Sequence, residues 1–310
     1  MKYLRVLLTT LIAVLVLHCA PQSEPAPELT TAPEAEELAR ATFAGIYDEP
    51  VTLEDGLWEG EPFAPGAASR PAVQLVRDFR LTGDLDGDGS EEAVVLLAMS
   101  SGGSGTYNYL AVVGRNGDGP VSLGTAGIGD RVQVRSARVA EDRIELDVVQ
   151  QGPDDAACCP SQKATRAWQL GEDGLAEVSS EVTGILSIED IGGPEWVLTH
   201  LDWNEPAPAE PEVTLVFEDG RFGGSGGCNR YFTAVAAGET PGDLTLGPIG
   251  STMMACPDEI MALERRYLKA VESTVKFSFL AGKLALTFRD DDSSGVLIFA
   301  PRERSGDGAE

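Results

Sequence analysis

An aspartate-rich loop in the first half of the chain has the residue types and spacing to bind a hard cation. Asp84, Asp86 and Asp88 alternate with other residues, and Gly89 follows them. Alternate carboxylates on a tight loop can direct oxygen atoms to one ion, with the spacing of the first, third and fifth ligands of a calcium loop. Val95 stands where an EF-hand has its bidentate glutamate, so the loop is not an EF-hand.

The residues after the loop provide further oxygen ligands. Ser90, Glu91 and Glu92 could complete the shell, so calcium is the one cofactor that the sequence predicts. The alternative is a solvated Asp/Gly turn that leads into the apolar run 93–99, which has the length of a buried strand.

Five cysteines offer a second kind of chemistry. Four of them lie in the body of the chain, and an even number in an exported protein predicts two disulfides. The spacing indicates one pair in each domain, Cys228 with Cys256 and Cys158 with Cys159. Bonding between the adjacent pair would close a small, easily reduced ring. The alternatives are that these two remain thiols or that each pairs elsewhere.

The N-terminus has the layout of a bacterial secretory signal peptide. Lys2 and Arg5 precede an apolar run that is shorter than the ~20 residues of a membrane-spanning helix. Cys19 ends the run and resembles a lipobox cysteine, although His18 stands where a small residue is usual. We predict export and lipidation of Cys19, with anchoring at the periplasmic face of the outer membrane; simple secretion is the alternative.

Composition and turn signals predict a mainly β chain of five parts. Short strands separated by Gly turns indicate antiparallel sheets, with helices over 33–43 and 257–273. The net charge of −27 disfavours nucleic acid as a partner. The parts are a signal peptide 1–19, a Pro/Glu-rich linker 20–37, a β-rich N-terminal module 38–181, a second β-rich unit 184–301 and a disordered tail 302–310.

Two motifs in the second unit carry a family resemblance. Residues 226–231, which include Asn229 and Tyr231, and residues 246–257, which include Met254 and Ala255, together resemble the META domain of HslJ-like proteins. The resemblance implies a partly open β-barrel with one packed helix. It also implies an envelope role linked to stress or drug tolerance, without known catalytic residues.

The function predicted from these features is non-enzymatic binding or structural support in the cell envelope. The partners would be the membrane, through the lipid, and another envelope protein. One alternative is an inhibitor or chaperone-like factor for such a protein, and another is a metal-dependent hydrolase. A GxSxG pattern around Ser225 favours a turn over a nucleophile elbow, because a strand rather than a helix is predicted after it.

Overall fold

The computed structural model describes residues 29–62, 69–117, 119–291 and 293–302. The predicted signal peptide, Cys19, residues 20–28 of the predicted linker and residues 303–310 of the predicted tail lie outside this part. Among the described residues, neither α-helix is long and apolar enough to cross a membrane.

The first sheet of the N-terminal module is antiparallel and has apolar side chains on both faces. Val94 and Leu96 pack on one side, and Val95 and Leu97 pack on the other. Burial of both faces explains why the run 93–99 is continuously apolar rather than alternating. Strands are numbered along the whole chain, and this sheet contains, in chain order, β3 (Leu57–Glu59), β4 (Ala72–Gly83), β5 (Glu92–Ser100), β6 (Tyr107–Asn116) and β7 (Gly119–Asp130).

A second antiparallel sheet of four strands packs against one face of the first. Ile144, Leu146 and Trp168 of this sheet share a buried cluster with Val94 and Leu96, so the two sheets form a sandwich. The strands are β8 (Gln133–Ala140), β9 (Arg143–Gln150), β10 (Gln162–Gly171) and β11 (Gly174–Ile185), with β11 and β8 at the edges.

The N-terminal segment covers the other face of the first sheet. The segment contains α1 (Ala35–Leu38), β1 (Thr42–Phe43) and β2 (Val51–Thr52). The predicted helix 33–43 is therefore wrong beyond its first turn, because Phe43 pairs with β2 and is fully buried.

The linker prediction also needs correction. Ala32 is 1% exposed, Arg80 donates a 3.0 Å hydrogen bond to the carbonyl of Pro33, and Arg115 forms an ion pair with Glu37. The residues from Ala32 onward are thus part of the packed module, whereas the sequence assigned them to a tether.

The second unit is a nearly closed barrel. Its sheet has the order β17-β16-β15-β14-β12-β21-β20-β19, with β13 paired to part of β12 and β18 paired to part of β16. The amide of Phe277 donates a 2.8 Å hydrogen bond to the carbonyl of Gly242, which links the two ends of the sheet. The strands are β12 (Glu195–Asp202), β13 (Glu205–Pro206), β14 (Thr214–Glu218), β15 (Arg221–Ser225), β16 (Arg230–Ala237), β17 (Leu244–Leu246), β18 (Gly250–Ser251), β19 (Thr274–Leu280), β20 (Lys283–Arg289) and β21 (Ser294–Arg302).

One long helix, α2 (Asp258–Glu272), packs on the barrel. Tyr267, Ala270 and Val271 enter the barrel core, and Asp258 and Glu259 lie in the first turn, where the helix dipole favours acids. The predicted fold class, mainly β with a partly open barrel and one packed helix, is confirmed.

Three long strands were not predicted from the sequence: β4, β7 and β11. In β4 the register shifts between Leu75 and Arg80, and Asp78 has a φ of 63°, so the alternation of apolar residues is interrupted. In β11, which lies at a sheet edge, most side chains are exposed, so the alternation of buried and exposed residues that is typical of a half-buried strand is absent. At the other end, Arg302, the first residue of the predicted tail, belongs to β21 and pairs with Glu195 and Glu212, so the disorder predicted for it is wrong.

Backbone and side-chain contacts join the module to the barrel. The amide of Gly282 donates to the carbonyl of Val134 at 2.9 Å, and the amide of Phe279 donates to the Gln133 side chain at 2.9 Å. The guanidinium of Arg135 lies 5.3 Å from the centre of the Phe279 ring. The edge strand β8 is therefore docked on β19 and the turn that follows it.

Asp190 is the main charged contact across this junction. It lies in a 3-10 turn, Ile188–Ile191, and its Oδ1 contacts Lys163 Nζ at 2.8 Å and Arg135 Nη2 at 3.0 Å. Its Oδ2 accepts the Ser187 amide at 2.8 Å. The side chain of Asp190 is only 9% exposed, so water screens these pairs weakly.

We expect Asp190→Ala to lower the free energy of unfolding by about 2–3 kcal/mol, because two cations lose a largely buried partner. Urea unfolding of the full chain measures this. Glu189→Ala is the matched control, since Glu189 is the exposed neighbour in the same turn. Equal stabilities of the two variants would contradict the importance of this contact.

Candidate functional site

The aspartate loop (residues 84–89) brings three carboxylates together. Oxygen atoms of Asp84, Asp86 and Asp88 all lie within 4.8 Å of one another. Asp84 accepts hydrogen bonds from the amides of Gly87 and Gly89 at 2.8 and 3.1 Å. Asp86 and Asp88 each accept one from the amide two residues further on, at 3.1 and 2.7 Å. These bonds already define a tight turn.

The three residues predicted to complete the calcium shell have other contacts. Glu92 is 2% exposed and accepts the amide of Leu85 at 2.7 Å; burial raises its pKa, and the aspartate charges add to this effect. Glu91 is exposed, and its amide donates to the carbonyl of Thr30 at 3.0 Å. The hydroxyl of Ser90 accepts the Thr30 amide at 3.4 Å. The structure thus groups the aspartates without the two glutamates.

A melting experiment tests the prediction that the aspartate loop binds calcium. If the loop binds calcium, the melting temperature of the chain rises by a few degrees in millimolar Ca²⁺ relative to chelator, because the ion binds the native state. Asp86→Asn should abolish the rise, whereas Asp173→Asn, in an exposed hairpin turn, should preserve it. No rise in the unsubstituted chain would identify the loop as a plain turn.

The second candidate site is a buried polar cluster in the barrel. The carboxylate of Glu264, on α2, accepts the amide of Cys228 at 3.2 Å, the amide of Asn229 at 2.5 Å and the Asn229 Nδ2 group at 2.9 Å. Glu264 is 8% exposed and Asn229 is 5% exposed. A Cβ atom at Gly226 would lie 2.9 Å from the Glu264 side chain, which explains the glycine in the first motif.

Glu264 was missed by reasoning from the sequence. It lies between Ile260 and Tyr267 at helical spacing, on the face that Val271 continues into the core. An acid on the apolar face of an otherwise amphipathic helix was the available signal. The hydrogen-bond partners of Glu264, however, lie in a turn far away in the chain. A single sequence does not show that this turn contacts the helix.

Asn229 connects this cluster to the surface. Its Oδ1 accepts the Met254 amide at 2.7 Å and the Thr252 hydroxyl at 2.8 Å. The amide of Thr252 donates to the carbonyl of Arg230 at 3.0 Å. These hydrogen bonds hold the segment formed by residues 251–256, here called the methionine loop, against the buried cluster. Ala255 is exposed within this loop.

The methionine loop displays apolar side chains to solvent. Met253 is 98% exposed and Met254 is 57% exposed. The sulfur atoms of Cys228 and Cys256 are 2.08 Å apart, so a disulfide ties the end of the loop to the buried cluster. Two motifs that are separate in the sequence thus form one site.

Other polar groups of the barrel have structural roles. The hydroxyls of Tyr231 and Tyr267 are 2.6 Å apart, and burial raises the pKa of both, so they stay protonated. Trp196 and Phe222 lie in the core. His200 is partly buried, and its Nδ1 lies 3.1 Å from the Thr199 hydroxyl.

The GxSxG pattern is part of a strand and the turn that follows it. Ser225 is the last residue of β15, and its hydroxyl accepts the amide of Gly227 at 3.2 Å. The next regular element is β16, which begins at Arg230, so the strand-to-helix geometry of a nucleophile elbow is not formed here. The predicted strand 228–232 therefore starts two residues later, after the turn that holds Asn229.

The adjacent cysteines lie in another part of the molecule. The structure pairs Cys158 with Cys159, in the loop between β9 and β10. Cys158 is exposed and Cys159 is partly buried. Lys276, on β19 of the barrel, places its Nζ 3.7 Å from the Cys159 sulfur.

Comparison with curated proteins and with solved structures gives no significant match. A family model matches residues 189–303, which include all of β12 to β21 and α2 and make up less than half of the chain. The match includes Asn229, Tyr231, Glu264 and the methionine loop. Residues 189–303 of this chain are a META domain.

Proposed function

We propose that this chain is an exported, non-enzymatic envelope protein, anchored by a lipid on Cys19, whose META domain binds a protein partner through the methionine loop. The observation that carries the proposal is the fixed display of Met253 and Met254 in solvent. Export is supported by the apolar N-terminal run and by the cysteine pairs, since disulfides persist in oxidising compartments.

The internal contacts of the cluster favour binding over catalysis. All three hydrogen bonds described for Glu264 go to the turn that holds Asn229, and those of Asn229 continue to the loop. These groups hold the loop in place rather than face an open cleft. A preorganised loop loses little conformational entropy on binding, which favours affinity.

The chemistry of the loop and of the whole surface defines the partner. Exposed methionines adapt to an apolar pocket and make close contacts there. Asp258 and Glu259 are exposed directly after the loop, and the chain carries a net charge of −27. This charge disfavours an anionic lipid surface as the occupant. The surface fits a protein with an apolar pocket rimmed by basic side chains.

To test the proposal, a photo-crosslinking amino acid replaces Met253 in this protein while it is located in the cell envelope. Leu57, which is 41% exposed in the N-terminal module, gives the matched control position. We expect the amino acid at position 253 to crosslink one protein partner in a stoichiometric amount, and we expect the amino acid at position 57 not to crosslink that partner. The affinity of the purified partner should then fall at least about tenfold for Met253→Glu/Met254→Glu.

Two outcomes would contradict the proposal. One is unchanged affinity of the partner for the double glutamate variant, measured by calorimetry. The other is binding of the chain that begins at Ala20 to anionic phospholipid vesicles in a manner that the glutamates abolish, which would make a membrane surface the occupant. This chain lacks the apolar N-terminal run and Cys19, so any vesicle binding would come from the residues that follow them.

A further inference from the structure

The Cys158–Cys159 pair combines an accessible sulfur with a stabilised one. Cys158 is exposed, so a thiolate from solution can approach its Sγ. Cys159 is partly buried, and its Sγ faces the Lys276 ammonium at 3.7 Å. A neighbouring cation lowers the pKa of a thiol, and a thiol of lower pKa is the better leaving group in disulfide exchange.

The loop that carries the pair has its own supports. Asp155 accepts hydrogen bonds from the amides of Gly152 and Ser161, both at 2.7 Å, and from the Ser161 hydroxyl at 2.6 Å. Arg131 donates to the carbonyl of Ala157 at 2.7 Å. The backbone therefore keeps its position when the sulfur–sulfur bond opens.

The second pair in the molecule has the opposite character. Cys228 is 7% exposed and lies under the methionine loop beside Glu264. Its partner Cys256 is partly buried, so neither cysteine of this pair is as accessible to a thiolate from solution as the exposed Cys158. The chain thus contains an accessible pair and a protected pair, and the protected pair serves as an internal reference.

We propose that Cys158–Cys159 is a thiol–disulfide exchange site that accepts two electrons from thiols. A thiolate attacks Cys158 Sγ, the bond to Cys159 breaks, and its electron pair stays on Cys159 as a thiolate beside Lys276. A second thiolate attacks the sulfur of the first reagent and releases Cys158, which takes a proton from water. The products are the dithiol form of the protein and one disulfide made from two thiols.

The role of Lys276 links the site to the META domain. The cysteines belong to the N-terminal module, whereas Lys276 lies on β19 of the barrel. Lys276 is a positioning residue for charge, since it acts through Cys159 rather than on the incoming thiol. Exchange at the pair therefore depends on the docking of the two units.

The experiment exposes the purified full chain to increasing dithiothreitol or glutathione, traps thiols with iodoacetamide, and counts alkylated residues in each pair by mass spectrometry. We expect Cys158–Cys159 to open at a reductant concentration at least about tenfold below that needed for Cys228–Cys256. In the Cys159→Ser variant, oxidised glutathione should leave a mixed disulfide on Cys158, because the Cys158 thiolate attacks the glutathione disulfide and releases one glutathione.

Variants of the lysine test the mechanism. Lys276→Met should slow opening roughly threefold, and Lys276→Arg should restore the rate because it keeps the charge. Lys269→Met is the control, since it removes a lysine of the same domain that instead pairs with Asp290 of that domain at 3.0 Å. Continued protection of Cys228–Cys256 shows that each variant is folded.

Three results would overturn the proposal. The first is alkylation of both adjacent cysteines before any reductant is added. The second is opening of the two pairs at the same reductant concentration. The third is an unchanged rate in Lys276→Met.

Discussion

Glu264→Ala is expected to lower the free energy of unfolding of the META domain by about 4 kcal/mol. The substitution removes the acceptor for three hydrogen bonds, two of them from backbone amides that have no access to water. Each buried donor left unsatisfied costs about 1–3 kcal/mol. The loss is therefore larger than the removal of a methylene-sized contact from the same helix would produce.

Two variants show whether the cause is the hydrogen bonds. Glu264→Gln keeps the volume and one acceptor oxygen, so its destabilisation should be intermediate. Glu272→Ala, at the exposed end of the same helix, should leave stability within about 0.5 kcal/mol. Urea unfolding followed by tryptophan fluorescence measures all three. Equal effects of the Ala and Gln variants would mean that packing, and not the acceptor, is what matters.

The sequence predicts the elements that depend on local pattern. The apolar run 93–99 becomes β5, and the helix predicted over 257–273 forms as α2. Asp219 and Gly220 have φ angles of 50° and 69°, as a tight hairpin requires, and an Asp-Gly step indicates such a turn. In each case the residues within a few positions determine the structure.

Elements that depend on distant partners were not predictable in this way. The strand β11 is largely exposed and forms because β10, its neighbour in a hairpin, supplies its hydrogen bonds along one edge. Residues near Ala32 look like a tether, but Arg80 and Arg115 fix them on the first sheet. These arginines lie 47 and 84 residues further along the chain than the carbonyl groups they contact, and a single sequence does not connect positions so far apart.

The candidate site shows the same division. The two motifs identify Asn229 and Met254, and the resemblance places both in one domain. The hydrogen bond between them, and the position of Glu264 beneath both, depend on how the helix packs on the barrel. The sequence thus identifies the residues of the site, whereas the packing of the helix on the barrel shows that they hold the methionine loop in place.

Removal of the Cys228–Cys256 disulfide is expected to destabilise the META domain by about 3.5 kcal/mol. The two cysteines are separated by 28 residues, and closing a loop of that length restricts the unfolded chain by about this amount in the chain-entropy model. Cys228→Ala/Cys256→Ser removes the bond, and denaturant unfolding measures the change. Cys158→Ser/Cys159→Ser is the matched control, because a link between neighbours restricts the unfolded chain very little.

The same variant separates the two supports of the methionine loop. The disulfide holds the loop at Cys256, and Asn229 holds it through the Met254 amide. If both supports are needed, amide hydrogen exchange at Met254 accelerates in the disulfide variant under conditions in which the barrel core remains protected. The proposed partner should then bind more weakly, because ordering the loop now opposes association. Unchanged exchange at Met254 would instead show that Asn229 and Glu264 alone preorganise the loop.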